Sequence, residues 1–183
     1  MKITTNTIKD VYVIEPNVFG DDRGYFMESY SKATLAELGI KNDFVQDNEA
    51  FSTKGVLRGL HYQCGEYAQA KLVRVIQGEV LDVIVDIRPE SNTYGQHFSI
   101  RLSGDNKKQM LVPRGMAHGY IVLSDTAIFA YKCDNGYNRD SEGGLLYNDP
   151  KLEIDWILDP SSFKVSDKDL VQPLFGNHKS INL

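Results

Sequence analysis

Cysteine is nearly missing from this chain of 183 residues, and the two present, Cys64 and Cys133, show no metal-type spacing. That argues against a disulfide framework or a thiolate metal cluster and points to a reducing compartment. A basic surplus is missing too. With 20 Lys and Arg against 25 Asp and Glu, the net charge is −5, so there is no positive excess to displace counterions from a nucleic acid. A local cluster of Arg and Lys can still hold an anionic small molecule. No apolar run approaches the roughly 20 residues of a membrane-spanning helix. The opening segment Met1-Lys2-Ile3-Thr4-Thr5-Asn6 lacks the apolar stretch of a signal peptide. Repeats, low-complexity tracts and linkers are absent as well. These absences lead to the expectation of one cytoplasmic domain over residues 1–183, with neither membrane nor nucleic acid as a partner.

Strand signals fill the middle of the chain. Leu72-Val73-Arg74-Val75-Ile76 and Val80-Leu81-Asp82-Val83-Ile84-Val85-Asp86-Ile87 are rich in β-branched residues and separated by Gln77-Gly78-Glu79. This predicts two strands joined by a tight turn. In the second, alternation puts Leu81, Val83, Val85 and Ile87 on one face and Asp82 and Asp86 on the other. Further strands are predicted over 11–14, 24–30, 98–102, 109–112, 119–123 and 126–133, set apart by turn-forming stretches such as Ser91-Asn92-Thr93. Helix is limited to residues 31–39, which begin at a Ser and end at a Gly, and to a short stretch from Ser166 that stops before Pro173. Many short strands with few helices predict a mainly β sandwich or barrel, and a jelly roll is the favoured form.

The chemistry concentrates in Gly55-Val56-Leu57-Arg58-Gly59-Leu60-His61-Tyr62-Gln63. There Arg58 and His61 lie three residues apart in a strand-like segment broken by Gly59. Histidine exchanges a proton near neutral pH, and arginine is a fixed cation suited to a carboxylate, phosphate or oxyanion. Together they offer a base beside an anion clamp, although a hydrogen-bonded strand histidine fits the local sequence as well. His118, in Pro113-Arg114-Gly115-Met116-Ala117-His118-Gly119, is delivered by a Pro-x-Gly turn to the start of the next strand. This segment resembles the second motif of the cupin superfamily, whose fold is a small jelly-roll barrel. Metal-binding cupins carry His-x-His and a later Glu in their first motif. Here His61-Tyr62-Gln63 replaces the second histidine by an amide, and Glu66 departs from the pattern's spacing. Two imidazoles alone leave a divalent transition metal under-coordinated, so no metal is expected.

Other positions allow two readings each. Tyr131 shares a strand face with Phe129 and Cys133, either as a core aromatic or as a proton donor whose high pKa keeps it protonated until needed. Tyr137, beyond Gly136, is placed to stack on a planar ligand. Asp169, three residues after Ser166, fits a capping box or an orienting carboxylate behind His61. Arg23 and Glu28 flank Gly24-Tyr25-Phe26-Met27, where their charges would guard an edge strand.

Ordered segments along nearly the whole chain resemble one family, the dTDP-4-dehydrorhamnose 3,5-epimerases. They are Asp22-Arg23-Gly24-Tyr25-Phe26-Met27-Glu28, Gln46-Asp47-Asn48, the stretch from Gly55 to Gln63, Lys71-Leu72-Val73, the stretch from Pro113 to Gly119, and Tyr131-Lys132-Cys133. Asn148-Asp149-Pro150, Ile154-Asp155-Trp156 and Ser166-Asp167-Lys168-Asp169 complete the set. The resemblance implies a homodimeric, cofactor-independent jelly-roll enzyme of dTDP-L-rhamnose biosynthesis. Its substrate would be dTDP-4-dehydro-6-deoxy-D-glucose and its product dTDP-4-dehydro-L-rhamnose. The resemblance also implies His61 as general base with Asp169 as its partner, and Tyr131 as general acid on the opposite face of the sugar. Lys71 matches a lysine near the C4 oxygen, with Arg58 and His118 lining the sugar–phosphate pocket. Gln46, Asp47, Asn48, Glu142 and Lys168 match nucleotide-sugar contacts, and Tyr137 matches an aromatic that stacks on thymine. Arg23 and Glu28 match a segment that the partner subunit contributes. Family members often have a proline-containing turn after His-x-Gln, where this chain has Cys64-Gly65-Glu66-Tyr67. The Asn135-Gly136 pair leads to the expectation of a more mobile Tyr137. A relative that inverts C3 alone or C5 alone would carry the same base and acid.

Overall fold

The computed structural model describes residues 1–183. Strands β1 (Lys2–Thr5), β2 (Tyr12–Glu15), β3 (Val18–Asp21) and β4 (Gly24–Met27) lead to helix α1 (Lys32–Glu37). Then come β5 (Gln46–Thr53), β6 (Val56–Gln63), β7 (Lys71–Gln77), β8 (Glu79–Asp86), β9 (His97–Ser103), β10 (Gln109–Val112), β11 (Met116–Val122) and β12 (Thr126–Cys133). The last elements are the short strands β13 (Glu142–Gly144) and β14 (Lys164–Val165) and the one-turn helix α2 (Asp167–Leu170). One sheet runs β1-β2-β10-β7-β12-β5, and the other runs β13-β6-β11-β8-β9 with β14 beside β6. Strands β3 and β4 form a hairpin apart from both sheets. The architecture is the expected mainly β jelly roll with short peripheral helices.

Alternation explains how the sheets meet. Val73 and Val75 of β7, Met110 of β10 and Phe129 of β12 close against Val80 and Ile84 of β8 and Val122 of β11 in one buried cluster. The second sheet is covered on its other face as well. There Leu81, Val83, Val85 and Ile87 pack with Leu57, Leu60 and Ile121 against Leu145, Leu152, Trp156 and Ile181. The alternation read from residues 80–87 therefore holds, but both of its faces are buried, Asp82 and Asp86 included. Asp86 is compensated locally: Arg88 Nη2, Ser91 Oγ and Thr93 Oγ1 donate to its Oδ2 at 2.7, 2.6 and 2.6 Å. Burial pushes the Asp86 carboxyl up, and these bonds outweigh it, holding the group below its ordinary value.

Helix α1 begins at the expected Ser31, whose side chain accepts from Thr34 N. The strand predicted to residue 30 stops at Met27. Strands β1, β3 and β5 are additions to the sequence expectation; β1 and β3 are largely exposed and β5 is mostly polar on both faces, so none carries an alternating apolar signal.

One irregularity positions the site. Strands β6 and β11 pair so that His118 faces His61 while Tyr120 faces Arg58, leaving Gly119 opposite both Gly59 and Leu60. The extra residue in β6 is a bulge. In an unbroken strand residues 58 and 61 point to opposite faces; with the bulge, both side chains line one cavity. The crossing requires glycine on both strands. A Cβ on Gly59, whose φ is +131°, would stand 2.5 Å from Gly119 Cα, and a Cβ on Gly119 would stand 2.6 Å from the Arg58 carbonyl oxygen.

Gly59→Ala is therefore expected to destabilise the protein by about 2–4 kcal/mol, through positive-φ strain and overpacking together. A urea midpoint equal to that of the parent chain would refute this account of the bulge.

Candidate active site

A cavity of about 360 Å³ opens beside the bulge, and around it stand Arg58, His61, Lys71, His118, Tyr131 and Asp169, with Lys168 at its edge. A neighbouring cavity of about 220 Å³ shares His61, Lys71 and Tyr131 and extends to Gln46, Asn48, Tyr137 and Glu142. Three of the expected residues lie elsewhere. Asp47 follows the alternation of β5 to the outer side of the first sheet, where Lys132 Nζ donates to its Oδ1 at 2.7 Å. Arg23 sits on the detached hairpin, bonded to Asp21. Glu28 just beyond that hairpin accepts from Thr34 Oγ1 at 3.0 Å. A larger hollow of about 520 Å³, lined by Asp47, Arg74 and Lys132, shares Asn48 and Tyr131 with these cavities but reaches neither His61 nor Lys71.

The structure decides between the two readings of Asp169. Ser166 does cap α2, accepting from Asp169 N at 3.2 Å. The Asp169 carboxylate, however, does not return to the Ser166 amide as a capping box would require. Its Oδ1 lies 2.5 Å from His61 Nε2, and its Oδ2 accepts from Gly59 N at 3.5 Å. A carboxylate can only accept, so neutral His61 carries its proton on Nε2 and keeps Nδ1 as the basic nitrogen. Burial raises the Asp169 pKa, but the bonds from His61, Ser166 and Gly59 outweigh it and hold the carboxyl below its ordinary 3.8.

Lys71, at the start of β7, has no salt-bridge partner, and its Nζ lies 5.9 Å from the centre of the Tyr131 ring. Desolvation pulls the Lys71 ammonium below its ordinary pKa, against the pull of nearby Cys133, Asp82 and Glu142. Burial pushes the Tyr131 phenol up, so its proton is held more tightly than usual. Arg58 is steadied by Ser52 Oγ, which accepts from Nε and Nη2 at 3.2 Å each. Lys168 donates to Glu142 Oε1 at 2.5 Å, and Tyr137 Oη donates to Glu142 Oε2 at 3.3 Å. Within one chain, then, Arg58, Lys71 and Lys164 line the cavity without a carboxylate partner and supply the unpaired positive charge.

Sequence reading passed over Asp82. It is fully buried, with both oxygens 3.0 Å from His118 Nε2. Burial raises its pKa, opposed by His118 and Lys71. The usable signal was an isolated acid inside an apolar run. His61 and His118 thus face each other across the strand pair, each bonded to its own carboxylate, and no group of three His, Cys, Asp or Glu side chains converges.

A histidine–carboxylate pair, a lysine and a tyrosine around one cavity of a cupin-type jelly roll form an arrangement for moving protons on a small molecule. Comparison with known proteins narrows this class. The family model described as dTDP-4-dehydrorhamnose 3,5-epimerase matches residues 5–177. The dTDP-4-dehydrorhamnose 3,5-epimerase of Shigella flexneri is 50% identical over 172 residues, which cover 93% of either chain. The crystal structure of dTDP-4-dehydrorhamnose 3,5-epimerase from Elizabethkingia anophelis superposes with a TM-score of 0.92 at 51% identity, over 96% of this chain and 97% of that one. The dTDP-6-deoxy-D-glucose-3,5-epimerase of Legionella pneumophila, solved in complex with dTDP-4-keto-L-rhamnose, gives a TM-score of 0.92 at 48% identity, over 96% and 93% of the two chains. The chain belongs to the dTDP-4-dehydrorhamnose 3,5-epimerase family and is an isomerase.

Bonded carboxylates in the site and beyond it set an acid limit on stability. The folded pKa values of Asp169, Asp86 and Glu142 all lie below their ordinary values. Their contribution is complete above those ordinary values and disappears as pH falls through the folded ones. Unfolding free energy is expected to drop between about pH 5 and pH 1, with a shallower drop in Asp169→Asn. Urea titrations across that range check both, and an equal slope in the variant would exclude the His61–Asp169 bond as a contributor.

Proposed function

We propose that residues 1–183 act as one catalytic domain that epimerises dTDP-4-dehydro-6-deoxy-D-glucose at C3 and C5 without a cofactor, in dTDP-L-rhamnose biosynthesis in the cytoplasm. The observation that carries this reading is the meeting of the Asp169-bonded His61, Lys71 and Tyr131 at one cavity. The C4 ketone acidifies the hydrogens on both neighbouring carbons. His61 removes one as general base, with Asp169 stabilising the imidazolium that forms. The electron pair moves onto the C4 oxygen, where Lys71 faces the developing enolate; a preorganised donor of this kind is commonly worth on the order of 3–4 kcal/mol. Desolvation of Lys71 strengthens the interaction by making the ammonium a better proton donor. Tyr131 keeps its proton until the carbanion forms and then delivers it to the opposite face, which inverts the carbon. Solvent then takes the proton from the His61 imidazolium and returns one to the Tyr131 phenolate, and a second cycle inverts the other carbon.

In the same reading, Arg58, His118 and Lys168 hold the sugar diphosphate, with Gln46, Asn48 and Glu142 contacting the nucleotide and Tyr137 stacking on thymine. Asp47 is left out of this set within one subunit, because its side chain faces the other side of the sheet. The active unit in this proposal is a homodimer in which the β3–β4 hairpin crosses to the partner and brings Arg23 and Glu28 to its cavity. Phe19, Tyr25 and Phe26 support this, being 64%, 56% and 71% exposed on a hairpin that neither sheet covers.

In heavy water the product is expected to carry solvent deuterium at both C3 and C5, read by NMR; label at one carbon alone would replace this reading by a single-site epimerase. His61→Ala is expected to lower exchange at both carbons by about 10²-fold or more while dTDP still binds. Tyr131→Phe should still exchange protons without net inversion. Full turnover by either variant would overturn the role given to that residue. For the assembly, light scattering is expected to give twice the chain mass, with Phe26→Asp shifting the population toward monomer and lowering activity. A fully active monomer would rule out the shared site.

A further inference from the structure

We infer that Gln63 is a positioning residue for Tyr137, fixing the backbone on both sides of that ring. Gln63 stands two residues after His61 on β6 and is 7% exposed. Its Nε2 donates to the carbonyl oxygens of Tyr67 and Gly136, both at 3.0 Å. Its Oε1 accepts from Asn138 N at 2.7 Å. Two carbonyls at one end and an N–H at the other leave a single orientation for the amide, and both of its N–H groups are used. Gly136 and Asn138 are the neighbours of Tyr137 in the chain, so one side chain holds the peptide before the ring and the peptide after it.

A second set of bonds reinforces the first. Gln69 Nε2 donates to the Asn135 carbonyl at 2.8 Å, and Asn135 Nδ2 donates to the Glu66 carbonyl at 2.7 Å. Asp134 Oδ1 accepts from Ala70 N at 2.7 Å. The single 3-10 turn over Gly65–Tyr67 and the segment around Tyr137 are thus sewn together. The mobility expected from Asn135-Gly136 is replaced by fixation, because the flexible pair is bonded along its length. The Tyr137 side chain itself is left open: the residue is 59% exposed, and its hydroxyl makes one long bond to Glu142. An aromatic held from beneath with its ring uncovered is a preorganised stacking surface. In metal-binding cupins this position carries a ligand; here the amide is spent entirely on the loop.

The inference rests on the reading of Tyr137 as the platform for the nucleobase, and the test separates the two. Glutamate at position 63 keeps the shape but turns both donor contacts into repulsions, and leucine removes all three bonds. Titration calorimetry with dTDP as the probe is expected to show Gln63→Glu and Gln63→Leu binding about 10-fold or more weakly, the scale of losing buried hydrogen bonds. For the dehydro sugar nucleotide, KM should rise by a larger factor than kcat falls. Hydrogen exchange should accelerate over residues 134–141 while β8 and β11 keep their protection. Tyr137→Ala should weaken dTDP to a similar degree, and the double variant should be no weaker than the worse single one.

Undiminished dTDP affinity in both Gln63 variants, with Tyr137→Ala impaired, overturns the positioning role and leaves the platform standing. Undiminished affinity in Tyr137→Ala removes the platform and the inference with it. Additive losses would show that Gln63, which lines the cavity of about 220 Å³, meets the ligand directly, and protection lost in β8 and β11 along with the loop would show that it acts on the fold at large; either result overturns action through Tyr137.

Discussion

The close crossing of β6 and β11 at Gly59 and Gly119 is the constraint on which the site depends. Absence of side chains on both strands lets the backbones approach and creates the bulge. The bulge turns Arg58 and His61 toward the same cavity and leaves Leu60 in the core on the other face of the sheet. The amide of Gly59 also meets the Asp169 carboxylate, the group that bonds His61. One irregularity therefore sets the direction of the base, the neighbourhood of the cation and the seat of the orienting acid.

Around that crossing the buried carboxylates are each bonded to a histidine, whereas the cation beside them is not paired. Asp169 gains enough from His61, Ser166 and Gly59 to stay ionised despite burial, while Asp82 beneath His118 is pushed in the opposite direction. Two His–Asp pairs of similar composition thus sit on facing strands with different electrostatic settings. Lys71 completes the set as a desolvated cation without a dedicated carboxylate, the state in which a cation answers most strongly to a new negative charge. An unmatched buried charge is expensive, and Lys71 carries that cost.

Much of the fold could be read from local pattern. Strands β10 and β12 match their expected residue ranges, and β7 and β8 come close, because β-branched runs broken by a glycine turn are specified within a few residues. The short strands β13 and β14 depend on pairing with β6 and leave no pattern of their own. Burial of the Asp82 and Asp86 face of β8 was not legible, since what covers it is the opposite sheet, which the local pattern does not place. The same holds for the site. His61, Arg58 and His118 were visible as residue types in glycine-marked strands. Whether Asp169 capped a helix or faced His61 depended on where a one-turn helix lands, 108 residues away in sequence. The fixation of Asn135-Gly136 was hidden for a related reason: its bonds come from Gln63 at the end of β6 and from Gln69, 73 and 66 residues earlier in the chain.

The C-terminal segment has two duties that are tied together. Leu152, Trp156 and Ile181 close the outer face of the second sheet, and between them run β14, which joins β6 in parallel, and α2, which carries Asp169. Synthesis proceeds from the other end. A nascent chain that stops short of Leu145 carries His61 without its carboxylate and a sheet still wet on one side. The acid that prepares the base is delivered by the same stretch that seals the core, so the proton-transfer apparatus is finished only when the barrel is.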